Sequence, residues 1–529
     1  MIAVAANPED QPVVAEFFEL FKTPWEVFHP GSRAEVLLCT RTEIPPNRAR
    51  LVVVYGGTGH AFDREHGLTL QPAPTHQTLA HAGRNFPVYG RCATTASNPG
   101  PVLQTITANG QTLVRISYHL WAEIRHLLTA GQPPEHAAMP ALEIHIALLR
   151  DLILGLAIPL VEIPPVPAGH GCIACLTHDV DHVGIRNHKF DHTLFGFLYR
   201  ATLGSLLDVF RGRKTPGQLA TNCLAALKLP FVHLGLARDF WYQFDHYVEL
   251  ENRAASTFFI IPKKGESGLD AQGRRPAKRA ASYDAADLKD TLRQLATAGK
   301  EIGAHGLDAW RDATAGSAER EIISQLTGSA IPGVRMHWLY FNEQSHAVLE
   351  QAGFLYDSTV GYNGTIGYRA GTTQVYKPLT TTRLLELPMH IMDTALFYPS
   401  YLNLSPRQAA EKMLPLITDT VHFGGVLTVN WHDRSIAPER LWQDSYRDLM
   451  TRLKAHDAWF ATAAQTVAWF QLRRQAAFVR LADGQIKISA PGGQPGLPGL
   501  RVRRFQPDAA GEKLTEQSLS HGAEVCLAA

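Results

Sequence analysis

CIACLTHDVDH, residues 172–182, passes from an apolar run of strand length straight into a cluster of carboxylates and imidazoles. A continuous apolar run of this kind is what a strand buried on both faces of a parallel sheet looks like. The same unit recurs downstream. STFFIIP from Ser256, EIGAHG from Glu301, GVRMHW from Gly333, LLELPMH from Leu384 and GVLTVNWH from Gly425 are further strand-length runs, separated by amphipathic stretches. The intervening helices carry their own start and stop signals. Asp284 and Asp287 suit an N-cap and first turn, Leu288, Leu292 and Leu295 share a face, and Gly299 follows the end. Ser405, Pro406 and Gln408 form a capping box with proline at the first helical position. This alternation predicts parallel strands with helices outside, an α/β barrel or an open sheet.

Outward from this region the pattern changes on both sides. IPPVPAGHG from Ile163 is proline- and glycine-rich and reads as a linker. Before it, residues 1–164 mix strands (LVVVYGG from Leu51, TLVRIS from Thr112) with helical stretches at 120–128 and 138–156, an N-terminal α/β domain. The turn YGGTGHAFD lacks the GKS or GxGxxG context of a phosphate cradle and reads as a plain turn. After residue 475, VRLADGQIKISA places an Asp-Gly turn between two alternating runs, a hairpin signal. Residues 476–529 thus read as a small β-rich appendage. A chain of 529 residues is too long for one core, so three parts are expected: 1–164, 165–475 and 476–529.

Fifty Lys and Arg against 49 Asp and Glu leave a net charge of +1, which gives no global attraction to nucleic acid or to an anionic membrane. No basic start with a sustained apolar core opens the chain, and no stretch reads as a membrane span, so a cytoplasmic location with reduced cysteines is expected. Cys172 and Cys175 form a lone CxxC inside the first apolar run. With no second pair to complete a zinc site, they read as strand residues.

The 24 histidines are the unusual count, because histidine is both a common metal ligand and a proton shuttle near neutral pH. In parallel α/β folds reactive groups gather at the carboxyl ends of the strands. Here those ends carry Thr177, His178, Asp179, Asp181 and His182, then His305, then Arg335 and His337, then His432 and Asp433. Two carboxylates at i and i+2 after a buried strand are costly unless paired or metal-bound. One can ligate a cation while the other accepts a proton from the attacking water.

These pieces resemble the polysaccharide deacetylase family (the NodB-homology domain, carbohydrate esterase family 4), in a divergent branch with a DxD first motif. The family's first strand ends in TFDDG or DxD, here THDVD; a strand like ATFFV follows, here ASTFFIIP; EIGxH is Glu301–His305; RxP is Arg335-Met336-His337; and the last strand ends in a histidine, His432. The resemblance covers about residues 174–470 and implies a distorted (β/α)₇ barrel that deacetylates an amino sugar or glycan precursor with a divalent metal, usually Zn²⁺. It implies Asp179 as general base, Asp181 and His305 as metal ligands, His432 as general acid and Arg335 as the group that orients Asp179. Asp433 is the sequence neighbour available to partner His432, although members of the family often use a more distant acid.

One departure concerns the metal. The family carries HxxxH, whereas this chain reads His305-Gly-Leu-Asp-Ala309, so the second histidine is missing. Catalytic zinc takes three protein ligands plus an open position. His337 is the favoured third ligand, with a pocket-wall role as its rival; Asp308, His182 and the pair His188 and His192 are the other candidates. Residues 183–236 form an insertion containing FLYRATLGSLLDVFRGRK. It reads as a helical lid or as an interfacial helix giving peripheral membrane association. Two rival functions stand beside the deacetylase: hydrolysis of a small non-sugar amide, and a metal-free glycan-binding pseudoenzyme.

Overall fold

The computed structural model describes the whole chain except residues 74–76, 96–99, 109, 493–494, 509–510 and 528–529. The chain divides into two compact units. The first comprises 1–169, 368–379 and 468–529; the second comprises 170–367 and 380–467. This differs from a three-part reading. The C-terminal residues and the short stretch 368–379 cluster with the N-terminal sheet, an association made by long-range packing.

In the second unit nine parallel strands form one sheet. In chain order they are β1 (Ile173–Val180), β2 (Ser256–Ile260), β3 (Glu301–Gly306), β4 (Gly333–Met336), β5 (Tyr356–Asp357), β6 (Leu385–Glu386), β7 (Ile391–Met392), β8 (Val426–Asn430) and β9 (Trp459–Phe460). Their order across the sheet is β6-β5-β4-β3-β2-β1-β8-β7, with β9 also paired to β1. All the pairings are parallel. The outer strands β6 and β7 are consecutive in the chain. Four residues join them, a reach of roughly 17 Å at about 3.5 Å per residue, so the sheet must curl back on itself. The result is a curled parallel half-barrel. β1 and β8 are fully buried along their length, as their unbroken apolar runs require. β5, β7 and β9 have two residues each, too short to leave a periodicity in the sequence.

The insertion is helical: His192–Tyr199 and Ser205–Phe210 are joined through a π-helical turn, and Pro216–His233 follows. One side of these helices packs Leu194, Phe197, Ala201, Ala225, Leu229 and Val232 against Ile185, Trp241 and Ala437.

The first unit has a six-stranded sheet in the order Trp25–Val27, Ile2–Ala5, Val36–Cys39, Leu51–Tyr55, Gln111–Ile116, Leu103–Ala108, antiparallel only at the last pair. The glycine-rich turn after Leu51–Tyr55 is filled by Arg115, which donates to Gly56 O and Thr58 O at 2.8 and 3.0 Å and pairs with Asp63. Its carbonyls face a guanidinium, so it is no phosphate cradle. Residues 477–480 and 486–489 form the hairpin read from the Asp-Gly turn. Leu160–Glu162 pairs with Leu500–Asp508, which draws the tail into this unit.

Candidate active site

The site forms at the carboxyl ends of β1, β3, β4 and β8. Side chains alternate along a strand, so Thr177 and Asp179 share the inner face of β1 while His178 points away, and Asp181 follows just past its end. His178 is spent on structure. Its ring meets Trp431 O and Glu251, each at 2.8 Å, and Glu251 also takes Lys300 and the Tyr446 hydroxyl.

Asp179 is held from two sides. Arg335 Nη1 donates to its Oδ1 at 2.9 Å and Asn430 Nδ2 to its Oδ2 at 2.8 Å. Burial opposes ionisation, but Arg335 first and the nearby histidines second outweigh it and keep the carboxyl below its ordinary range. Arg335 is itself buried and fixed by Thr177 Oγ1, Ser358 O and Ser358 Oγ. Asn430 was not singled out from the sequence, although strand alternation places it on the same face as His432.

Asp181, His305 and His337 each aim one ligand atom at a common point, all three atoms lying within 4.8 Å of one another. Asp181 Oδ1 is 3.4 Å from Nε2 of both histidines. Bonds of about 2.1 Å to a tetrahedral ion put neighbouring ligand atoms about 3.4 Å apart. His305 Nδ1 donates to Arg335 O at 2.9 Å, which leaves Nε2 bare and turned inward, the tautomer a metal takes. Asp181 Oδ1 is buried and makes no hydrogen bond, a costly state for a carboxylate unless a cation faces it. Burial drives His337 down to about 3, so it stands neutral. The donor set therefore fits a divalent cation.

The other third-ligand candidates go elsewhere. His182 packs against the His188 and Trp241 rings. His188 is taken by Asp191 at 2.7 Å and Ser282 at 3.0 Å, and His192 lies on the exposed side. Asp308 accepts from Leu269 N at 2.8 Å. A second trio, His346, Asp357 and Glu386, is also close enough to chelate, but it is buried around β5 and β6 and lines neither large cavity. Cys172 and Cys175 are buried, and burial pushes both thiols up to about 12.

Ala309, at the position of the absent histidine, is fully buried and points at the helix Ala313–Thr327. A Cβ on Gly316 would lie 3.1 Å from the Ala309 Cβ. Ala309→His is accordingly expected to destabilise the fold by about 1–3 kcal/mol through overpacking, with no gain in metal affinity. Thermal melts together with a metal titration check this; tighter metal binding by the variant would contradict it.

His432 lies across from Asp179. Its Nδ1 is 2.6 Å from Asp393 Oδ1, and its backbone N donates to Asp393 Oδ2 at 2.7 Å. Burial alone would lower its pKa, but Asp393 first, then Asp181 and Asp179, raise it to about 9. Asp433 is not the partner. It turns to His182 N at 3.2 Å, and burial lifts its carboxyl to about 7.

Arg279, at the end of the 3-10 turn Ala277–Arg279, is a further group that the sequence did not single out. It is buried and donates to Leu307 O at 3.0 Å and His337 O at 2.9 Å, tying the chain after β3 to the chain after β4. The next residues, Trp338 and Leu339, have φ of 63° and 55°, strained values for non-glycine residues. A cavity of about 570 Å³ collects Asp179, Asp181, His305, His337 and His432, with Trp338 and Tyr398 in its wall.

No family model matches the chain, and no curated protein matches it. Among solved structures it is similar to a Mycobacterium smegmatis protein described as a polysaccharide deacetylase (18% identity, TM-score 0.36, spanning 59% of this chain and 95% of that one). It is also similar to PuuE allantoinase (14%, TM-score 0.36, 57% and 91%). A third similar structure is a probable polysaccharide deacetylase from Pseudomonas aeruginosa PAO1 (14%, TM-score 0.35, 57% and 91%).

Proposed function

We propose that the second unit is a metal-dependent hydrolase of C–N amide bonds that removes an acyl group, acetyl in the first instance, from an N-acylated amino sugar or glycan precursor. The observation that carries the reading is the convergence of Asp181, His305 and His337 on one point, flanked by Asp179, held by Arg335 and Asn430, and by His432, braced by Asp393. The deacetylase-like order of motifs supports the choice of substrate. We assign Asp181, His305 and His337 as metal ligands, Asp179 as general base, His432 as general acid and Arg335 as the positioning group of Asp179.

A divalent cation in this donor set, zinc by its two imidazoles and one carboxylate, would supply Lewis acidity towards the amide carbonyl and make water a better nucleophile. The side chains account for the protons. Asp179, kept charged by Arg335 and Asn430, takes the proton of the attacking water as its oxygen bonds to the carbonyl carbon. His432, charged and braced by Asp393, delivers the Nε2 proton to the nitrogen as the C–N bond breaks. An amine and a carboxylic acid result.

The test is metal analysis with an acetate-release assay on N-acetylglucosamine and its oligomers. One divalent ion per chain with metal-dependent acetate release is expected. A protein that stays metal-free after metal-replete purification and binds sugar without cleaving it would replace this reading with a glycan-binding one.

A pH prediction follows from the Asp393 contact. His432 must carry its proton, so activity is expected to fall on the alkaline side, at a pH that Asp393 holds above the ordinary histidine value. Asp393→Asn removes the raising charge, so the limb should move down towards the ordinary histidine value of about 6.5. A pH–rate profile with an unmoved alkaline limb would detach Asp393 from this role.

A further inference from the structure

The insertion helices are apolar on two sides, which a helix packed against one core does not need. One side is buried against Trp241 and Ala437. On the other, Phe195, Tyr199, Leu203, Leu206 and Phe210 follow one another at spacings of three and four and are 41–81% exposed. The helix Pro216–His233 repeats the pattern with Leu224, Leu227 and Phe231, 50–72% exposed, and Leu234 continues it. Of the twenty large apolar side chains exposed among the described residues, twelve fall between Phe190 and Leu236. That density marks an interaction surface.

Charge says which partner it fits. Between Arg186 and Arg238 there are eight Lys and Arg against two Asp, in a chain whose net charge is +1. Lys189, Arg211 and Lys228 are exposed among the apolar side chains. A cavity of about 870 Å³ opens along this surface. Tyr199 of the exposed stripe and Leu207 line it, with Arg211, Arg213 and Lys214 beside Asp208, Glu439, Asp444 and Asp448, and it shares Arg200, Tyr398 and Arg440 with the wall of the active-site cavity.

We infer that the insertion docks the protein on an anionic lipid bilayer, its exposed apolar stripes entering the interface and its basic residues meeting the headgroups. An apolar helical face with interspersed cations has the make-up of an interfacial helix, and each cation near an anionic surface strengthens binding roughly fivefold. A second copy of this chain would bring the same excess of positive charge to the surface, which argues against self-association there. What the membrane presents rests on the proposed hydrolase reading: an amide-bearing, lipid-anchored substrate that reaches the active-site cavity from this surface.

The full chain is sedimented with vesicles of phosphatidylcholine alone and of phosphatidylcholine mixed with phosphatidylglycerol. Binding to the mixed vesicles is expected, weakened by salt. Phe195→Ser, Leu203→Ser and Phe210→Ser combined should reduce it by more than about tenfold. These side chains lie outside the buried cluster, so an unchanged melt is expected and confirms that the fold is intact. If Lys189→Glu and Arg211→Glu also weaken binding, the charge argument is supported. No binding to either vesicle, or binding indifferent to the serine substitutions, overturns the proposal. So does a soluble dimer that those substitutions dissolve. Acetate release is measured separately on free and vesicle-borne N-acetylated amino sugars. Loss on both substrates strikes the hydrolase reading and leaves the docking result standing.

Discussion

Asp181→Ala and His305→Ala are each expected to strip the bound metal and, with it, activity. The loss should exceed the roughly 10²–10⁴-fold that removing a general acid or base costs, because Lewis acidity towards the carbonyl and activation of the attacking water vanish together. Both side chains sit at strand ends beside the cavity, so the melting curve of the metal-free protein should change little. Elemental analysis after dialysis is the check. Full occupancy in either variant would remove these two residues from the ligand set. His337→Ala belongs to the same experiment. Unchanged metal affinity would return His337 to the pocket wall.

His432→Ala is expected to slow amide cleavage by about 10²–10⁴-fold while the metal stays bound. His432 Nε2 lies 3.8 Å from Asp181 Oδ2, beside the Asp181–His305–His337 group but outside it. The alkaline limb of the pH profile should disappear with the side chain that produces it. An activated ester, whose leaving group needs little protonation, should suffer far less than the amide. A variant that cleaves amide at the parent rate with the alkaline limb intact would exclude His432 as the acid, and the assignment of Asp179 as base would fall with it.

The residues that local patterning revealed are those on long, fully buried strands. THDVD stood out because β1 is eight residues long and its carboxylates follow an unbroken apolar run. His305 and His432 were legible in the same way, just inside or just past the ends of β3 and β8. Asp393 was not. It follows a strand of two residues and lies 39 positions from His432, and only the pairing of β7 with β8 brings them together. Sequence proximity pointed to Asp433, which the backbone turns towards His182 instead. Arg279 was hidden for a related reason. Its partners are carbonyls, which every residue possesses and which no pattern advertises. The parting of the chain into two units was equally out of reach, since 368–379 leaves the half-barrel and clusters with the N-terminal sheet.

The three proposed ligand atoms stand just past β1, within β3 and just past β4, over a span of residues 181–337. Two histidines one helical turn apart could capture an ion in a disordered peptide; these three residues cannot. The unfolded chain keeps only weaker chelates, such as His178 with His182 and His188 with His192, so most of the binding free energy counts towards the native state. At a free-ion concentration about a hundred times the dissociation constant, that linkage amounts to about 2.7 kcal/mol, a sizeable fraction of what holds a typical domain together. Chelation would then act as a mild denaturant of this unit, and the lifetime of the folded protein would follow the ambient supply of the ion.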